Sequence, residues 1–405
     1  RASWARVGKD ATPYATNTYL WTPRESLGGI IATGNSWTKG NPNLKPETTG
    51  SFEVGAELRF LNGRLGLDYA YYTNNSYNQI LSPRLGQSVG YIFVSVNAGD
   101  IYNKGMELSL TGKPIKRENF EWDVTLNMSR NKGTVDNLIS GVDILYVTDV
   151  QVGNAKAASF NGGSFMGISG SKYARTPDGR LILDANTGMP TSDNSATYNI
   201  GNREPKLIGG LNNSLTYKNF NLSFLLDYRI GGDIYNGTDY AMTLNGLSMR
   251  TLERDELTLS GVVNTGTAAA PVYEDKTFTF NANESYLVSG AQTSGKKIIQ
   301  DYWGIHYVKE SANFMKNTNW LRLRTVSVSY DFGNSLLKKS NVSKVIKGLT
   351  ATLTGTNLWL LTNYKGLDPE ASAAGSGVTG SSSVGIDYNG VPSTAGVTFG
   401  VNLKF

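Results

Sequence analysis

Residues 51–60 read SFEVGAELRF. Phe52, Val54, Ala56, Leu58 and Phe60 alternate with Glu53, Gly55, Glu57 and Arg59. A period of two belongs to an extended strand, whose side chains point alternately to opposite faces. Here one face is wholly apolar and the other polar and charged. Residues 64–72, RLGLDYAYY, repeat the pattern, with Leu65, Leu67, Tyr69 and Tyr71 set against Arg64, Gly66 and Asp68. Asn62-Gly63 between them is a tight-hairpin dipeptide that tolerates positive φ at both positions.

Outward from this hairpin the same reading recurs. Met106, Leu108 and Leu110 alternate with Glu107 and Ser109. Trp122, Val124, Leu126 and Met128 alternate with Asp123, Thr125 and Asn127. Leu211, Leu215 and Tyr217 face away from Asn212, Ser214 and Thr216. Phe220, Leu222, Phe224, Leu226 and Tyr228 face away from Asn221, Ser223, Asp227 and Arg229. Val326, Val328 and Tyr330, then Leu349, Ala351 and Leu353, continue the series. It closes with Phe399, Val401, Leu403 and Phe405 against Thr398, Gly400, Asn402 and Lys404. With Ala2–Val7 this gives roughly ten strands, each near the 9–11 residues that cross a bilayer at a tilt.

The connections sort the strands further. Asn62-Gly63, Lys113–Asn119, Lys218-Asn219 and Phe332–Lys347 are short. Segments 8–49, 79–102, 132–206, 235–319 and 361–396 are long. Short and long alternate strictly. If every strand crosses a membrane, all short turns lie on one side and all long loops on the other, the plan of outer-membrane barrels. A soluble β-sandwich also alternates. The loop asymmetry favours an all-β, transmembrane antiparallel β-barrel with long extracellular loops. Ten strands alone would leave two unpaired edges in lipid, which is untenable. That, and a start at Arg1 without Met, leads to the expectation that residues 1–405 are the C-terminal part of a larger barrel.

Composition agrees. The chain holds 46 Gly, 22 Tyr, 14 Phe and 7 Trp, with 18% charged residues, which suits turns, strands and interfacial aromatic girdles. No run of about 18 apolar residues offers a transmembrane helix. Cys is absent, so neither disulfides nor cysteine-ligated metals are available. The net charge of +5 is small for this length and no basic run appears, which argues against nucleic acid.

Motifs for chemistry are weak. His306 is the only histidine, so an acid–base or nucleophilic site would have to use it, and it lies in an aromatic loop segment, Asp301–Tyr307. Gly290–Lys296 has the spacing of a phosphate loop, but Lys297 stands where the Mg²⁺-binding Ser or Thr belongs. Asp178-Gly179 and Asp184–Gly188 faintly suggest a calcium loop without its twelfth-position Glu. Asp178-Gly179 reads better as a hairpin turn. Glu53 and Glu57 could be taken for a glycosidase pair, but charges on the inner face of a barrel are the simpler reading. No catalytic group and no metal site are expected. A calcium ion in an extracellular loop is the one cofactor left open.

Several stretches, taken in order, resemble the SusC-like TonB-dependent transporters. They are Asn41–Glu47 (NPNLKPE), Asn103–Leu108 (NKGMEL), Glu204-Pro205-Lys206 before a strand, Gly231–Asn236 (GGDIYN), Trp320–Arg324 (WLRLR) and Tyr364–Glu370 (YKGLDPE). The resemblance implies a 22-stranded outer-membrane barrel, of which this chain supplies about the last ten strands. The plug, the TonB-binding segment and the first strands would lie upstream. It implies active import of oligosaccharides or oligopeptides with a SusD-like surface lipoprotein as lid, powered through TonB, and a dimer of such pairs. It also reads Phe399, Val401, Leu403 and Phe405 as the signal to the barrel-assembly machinery. On this view Glu53, Arg59, Asp68, Glu107, Asp123, Asn127, Asp227 and Arg229 line the lumen. The flat rings of Tyr235, Tyr240, Trp303 and Tyr307, with His306, are the candidate ligand contacts in the loops. A passive porin or a surface adhesin would share the strand pattern, and a barrel enzyme would be hard to build on His306 alone.

Overall fold

The computed structural model describes residues 1–22, 33–83, 85–282, 284, 287–288, 291–292, 297–333, 345–370, 372 and 385–405. Its frame is one antiparallel meander. The strands are β1 (Ala2–Lys9), β2 (Glu47–Phe60), β3 (Leu65–Leu81), β4 (Val96–Arg117), β5 (Phe120–Asp136), β6 (Leu207–Tyr217), β7 (Phe220–Ile230), β8 (Trp320–Asp331), β9 (Gly348–Thr362) and β10 (Gly396–Lys404). Each pairs with the next in sequence, from β1 at one edge to β10 at the other. The ten expected strands are all present, and short and long connections alternate as read up to β8, whereas the connection 332–347, expected to be short, is longer than 82–95, expected to be long.

The register explains why alternation is so regular. Leu58, Leu67, Leu110, Leu126, Leu211, Leu226 and Leu323 lie side by side from β2 to β8, and Trp359 of β9 ends the row. The neighbouring row on the opposite face is Glu57, Asp68, Ser109, Asn127, Gly210, Asp227 and Arg322. A slip of one residue in any strand would exchange the two faces. Apolar groups on the leucine side stay bare: Leu58 is 44% exposed, Leu353 52% and Phe399 67%. A sheet face this apolar and uncovered fits a hydrocarbon solvent. Among the described residues no helix is long and apolar enough to cross a membrane.

Several boundaries differ from expectation, two of them in ways that matter. The turn expected over Lys113–Asn119 shrinks to Glu118-Asn119, because β4 runs on through Pro114 to Arg117. The strand tolerates a residue with no N–H donor there because its register slips between Gly112 and Ile115. The long connection expected over 79–102 shortens to 82–95. The first hairpin is also looser than an Asn-Gly turn. Positive φ begins at Leu61 (55°) and continues through Asn62 (54°) and Gly63 (79°).

The 22 residues of β4 span about 70 Å, well beyond a hydrocarbon core of about 30 Å. The sheet therefore stands out of the bilayer at its long-loop end, where the loops fold on one another. One core joins Val152, Ala155, Ala157 and Ile168 of the loop after β5 to Tyr235, Val308 and Phe314 of the loop after β7 and Ile386 of the loop after β9. A second joins Leu183 and Met189 to Leu259, Val263, Phe280, Ile298 and Ile299. Buried apolar area here is supplied by loops, while the sheet saves its apolar face for lipid.

Candidate functional site

The polar face of the sheet is its concave side. A recess of about 580 Å³ opens on it, lined by Asp68 of β3, Glu107 of β4, Asn127 of β5, Asp227 of β7 and Trp320 of β8. The register puts Glu53, Asp68, Glu107, Asn127, Asp227 and Arg229 on this face. Arg59 and Asp123 also sit on it, nearer the short turns, where Arg59 pairs with Glu57 at 2.9 Å and Lys113 reaches Asp123 at 2.9 Å. All eight residues expected to line a lumen thus share one wall. The carboxylates Glu53 and Glu57 pair with Arg1 and Arg59.

At the long-loop end the wall is fastened to the loops, and the recurring motifs do the fastening. In Asn41–Glu47, Asn41 accepts the Asn43 N–H, and Glu47 accepts the Ile80 N–H at 2.8 Å while pairing with Lys9 at 3.0 Å. Glu204 reaches back to β5, taking the Gly133 N–H at 2.8 Å and the Asn131 amide at 2.9 Å. Burial raises the Glu204 pKa against the pull of these donors. In Gly231–Asn236, both glycines take positive φ, Asp233 accepts the Asn202 N–H at 2.8 Å, and Asn236 caps the helix Gly237–Leu244 through the Asp239 N–H.

Tyr364–Glu370 makes the densest of these joints. Arg322 and Arg324 of β8, two residues apart, both reach the inner face, and Arg324 is an extra residue opposed by nothing on β7. Arg322 donates to Asp368 at 2.6 Å and lies 2.9 Å from Glu370, an ion pair without hydrogen-bond geometry. Arg324 bridges Glu370 and Asp227, the latter at 2.7 Å. Burial pushes the Asp368 carboxyl up, but the N–H groups of Glu370 and Ser393, with Arg322, outweigh it and hold the pKa below the ordinary value. Tyr364 donates to the fully buried Asp387 at 2.6 Å. Burial raises the Asp387 pKa, although Tyr364 and Thr238 both donate to it.

The loop aromatics form one chain of ring contacts, from Trp303 and Tyr302 through Tyr307 and Phe314 to Tyr240 and Tyr235. Arg250 lies over Tyr307, donates to its hydroxyl at 2.6 Å and pairs with Asp239. Tyr235 departs from its expected role. It is fully enclosed in the loop core, so its ring has no face to offer a ligand. Its place in a short strand, Asp233–Asn236, held between Met315–Asn317 and Ile386-Asp387, is the reason. Tyr240, Trp303, His306 and Tyr307 keep part of their surfaces open. They sit on the helix Gly237–Leu244 and on a π-helix, Tyr302–Tyr307. Burial first, then Lys309, pushes the His306 pKa down, and its carbonyl accepts the Tyr173 hydroxyl.

Asp178-Gly179 is a hairpin turn as read, with Gly179 at φ 91°. Asp184 uses one oxygen to accept the N–H groups of Asn186 and Thr187 and the Thr187 hydroxyl. Among the described residues no group of three or more His, Cys, Asp or Glu could hold a metal. Of the phosphate-loop spacing, Gly290 and 293–296 lie outside the described residues. Phe399, Val401, Leu403 and Phe405 stand exposed on the last strand and its end.

Comparison with known proteins agrees with this architecture. Residues 1–241 match the family described as TonB dependent receptor-like, beta-barrel. TonB-dependent receptor P26 of Formosa agariphila is 27% identical over 429 residues, covering 100% of this chain and 39% of that protein. TonB-dependent receptor SusC of Bacteroides thetaiotaomicron is 26% identical, covering 90% of this chain and 32% of that protein. The chain thus spans well under half the length of these relatives. The RagAB peptide importer in its closed-closed state superposes with a TM-score of 0.69 at 19% identity, over 100% of this chain and 40% of that one, a likeness of fold. Ten wall strands, an inner polar face and the family match over its first 241 residues lead to one conclusion: the chain belongs to the TonB-dependent receptor-like β-barrel family.

Proposed function

We propose that this chain supplies wall and mouth to an active importer of oligomeric nutrients in the outer membrane. The observation that carries the reading is the continuity of the inner polar face with loops that pack as one body above it. Cargo would meet the loop surfaces first, with Tyr240, Trp303, His306 and Tyr307 as contacts. It would then pass along the wall bearing Asp68, Glu107, Asn127 and Asp227. No bond is made or broken. The free edges of β1 and β10 call for further strands, since an open sheet edge is untenable in lipid. A 22-stranded barrel with an internal plug meets that need. Energy would come through TonB and closure from a SusD-like surface lipoprotein. Glycans and peptides both suit such a passage, and relatives named SusC and the RagAB peptide importer share this fold.

The test is uptake of labelled oligosaccharides and oligopeptides by cells carrying the full-length receptor, with and without residues 236–318. Loss of uptake with the barrel still assembled is expected. Uptake that persists when TonB is removed would instead mark a passive channel.

A further inference from the structure

A cleft of about 310 Å³ lies away from the barrel wall, between the end of the helix Gly237–Leu244, the turn Met249–Leu252 and the helical run Ile298–Tyr307. Its volume is at the small end of the range for ligand pockets, roughly 300–1,000 Å³. Trp303, on the π-helix, lines it; such segments are rare and concentrate at functional sites. The ring is fixed: its N–H donates to the Glu253 carbonyl at 3.2 Å, and Tyr302 and Tyr307 pack on it with centroids 4.9 and 5.0 Å away. Around it stand Arg254, Lys297, Asn245 and Gln300. Among the described residues no carboxylate lines the cleft.

Arg254 is the informative group. Its Nε donates to the Thr251 carbonyl at 2.7 Å, and among the described residues it makes no ion pair. A fixed aromatic platform, amides and an unpaired planar cation together suit a flat, hydroxyl-bearing ligand with a negative charge. Among the described residues the elements that line the cleft are helices and turns, and no strand edge lines it for an extended peptide to pair with.

We propose that this cleft binds an anionic sugar unit, carboxylated or sulfated, at the outer surface of the receptor. The ring would lie on Trp303, its acid group on Arg254 and its hydroxyls on Asn245 and Gln300. The proposal deepens the import reading by naming a cargo class, but binding itself requires no translocation.

The experiment is calorimetric titration of the full-length receptor in detergent with four probes: oligogalacturonate, a sulfated galactan oligosaccharide, neutral maltohexaose and an oligoglutamate peptide. The proposal expects at least one of the two anionic sugars to bind at least tenfold more tightly than the other probes. Arg254→Gln should weaken that sugar tenfold or more, and Trp303→Ala should abolish its binding. Because Trp303→Ala could loosen the loop, Arg254→Gln, an exposed change, is the deciding variant. Equal binding of neutral and anionic sugars, tighter binding of the peptide, no binding by any probe, or unchanged affinity in Arg254→Gln would each overturn it. Binding that persists where uptake fails would contradict import and leave the cleft assignment standing.

Discussion

Arg322, on the inner face of β8, donates a 2.6 Å hydrogen bond to Asp368 of the loop after β9, and the two side chains are only 3% and 4% exposed. The pair ties a loop to the barrel wall from inside. Removing Asp368 leaves Arg322 buried with Glu370 beside it, and breaking a buried pair costs up to about 3–5 kcal/mol. Asp368→Asn should therefore lower the unfolding midpoint of the detergent-solubilised receptor sharply. Arg322→Met together with Asp368→Leu should recover most of the loss. A single variant as stable as the parent would mean that the loop is held by other contacts.

Gly105 tests the inner wall at a tight point. A Cβ at this position would sit 2.5 Å from the Tyr72 ring and 2.7 Å from the Arg130 carbonyl. Gly105→Ala should cost about 1–3 kcal/mol by overpacking and reduce the heat-resistant, compact form seen on unboiled gels. Tyr72→Leu added to it should restore that form. Failure of the second change to help would place the strain at the Arg130 carbonyl.

Asp387 predicts a pH effect. Burial raises its pKa above the ordinary 3.8 in the folded loops. The folded state then binds the proton more readily than the unfolded one, so this group contributes most stability at low pH. That contribution falls as pH rises from 3.8 through the raised value. Asp387→Asn should flatten the dependence; its single carbonyl oxygen can keep the Tyr364 hydrogen bond, while Thr238, which donates to the other carboxylate oxygen, loses its acceptor. Thermal unfolding across that pH range reads the slope directly. An unchanged slope in the variant would remove Asp387 from the account.

Adjacent residues of β8 should respond oppositely to charge. Val328 lies on the leucine side, paired with Leu222 and Leu353; Ser327 lies on the polar side, paired with Ser223 and Thr354. Arg on the lipid face of a barrel costs about 2–4 kcal/mol at the bilayer midplane. Val328→Arg should impair assembly in liposomes, and Ser327→Arg should be tolerated.

The wall was readable in the sequence because its two faces meet different solvents, so each strand carries the signal independently. Phe52 to Phe60 shows it without any knowledge of a neighbour. The exceptions are local. Pro114 suggested a turn and instead marks a register slip within β4. The loops were opaque because their order comes from contacts between segments distant in sequence. Tyr235 reads as a free aromatic until Phe314 and Ile386 close around it. The motifs were visible as strings, but not the reason for them. Glu47, Glu204, Asp233, Asp368 and Glu370 are clasps whose partners lie 31 or more residues away. Arg254 carried no signal at all. Its interest depends on its place beside Trp303 in the folded loops.

The central claim is that one face of this sheet meets lipid and the other a water-filled lumen. The 405 residues contain no Cys, so single cysteines can be introduced along two adjacent rows: Leu67, Leu110, Leu126 and Leu226 on one, Asp68, Ser109, Asn127 and Asp227 on the other. Nitroxide labels at these sites, in the full-length receptor in liposomes, report collisions with oxygen and with a water-soluble nickel chelate. The account predicts oxygen-rich collisions at every leucine position and nickel-rich collisions at every polar one. Equal exposure of both rows to the nickel chelate would contradict it.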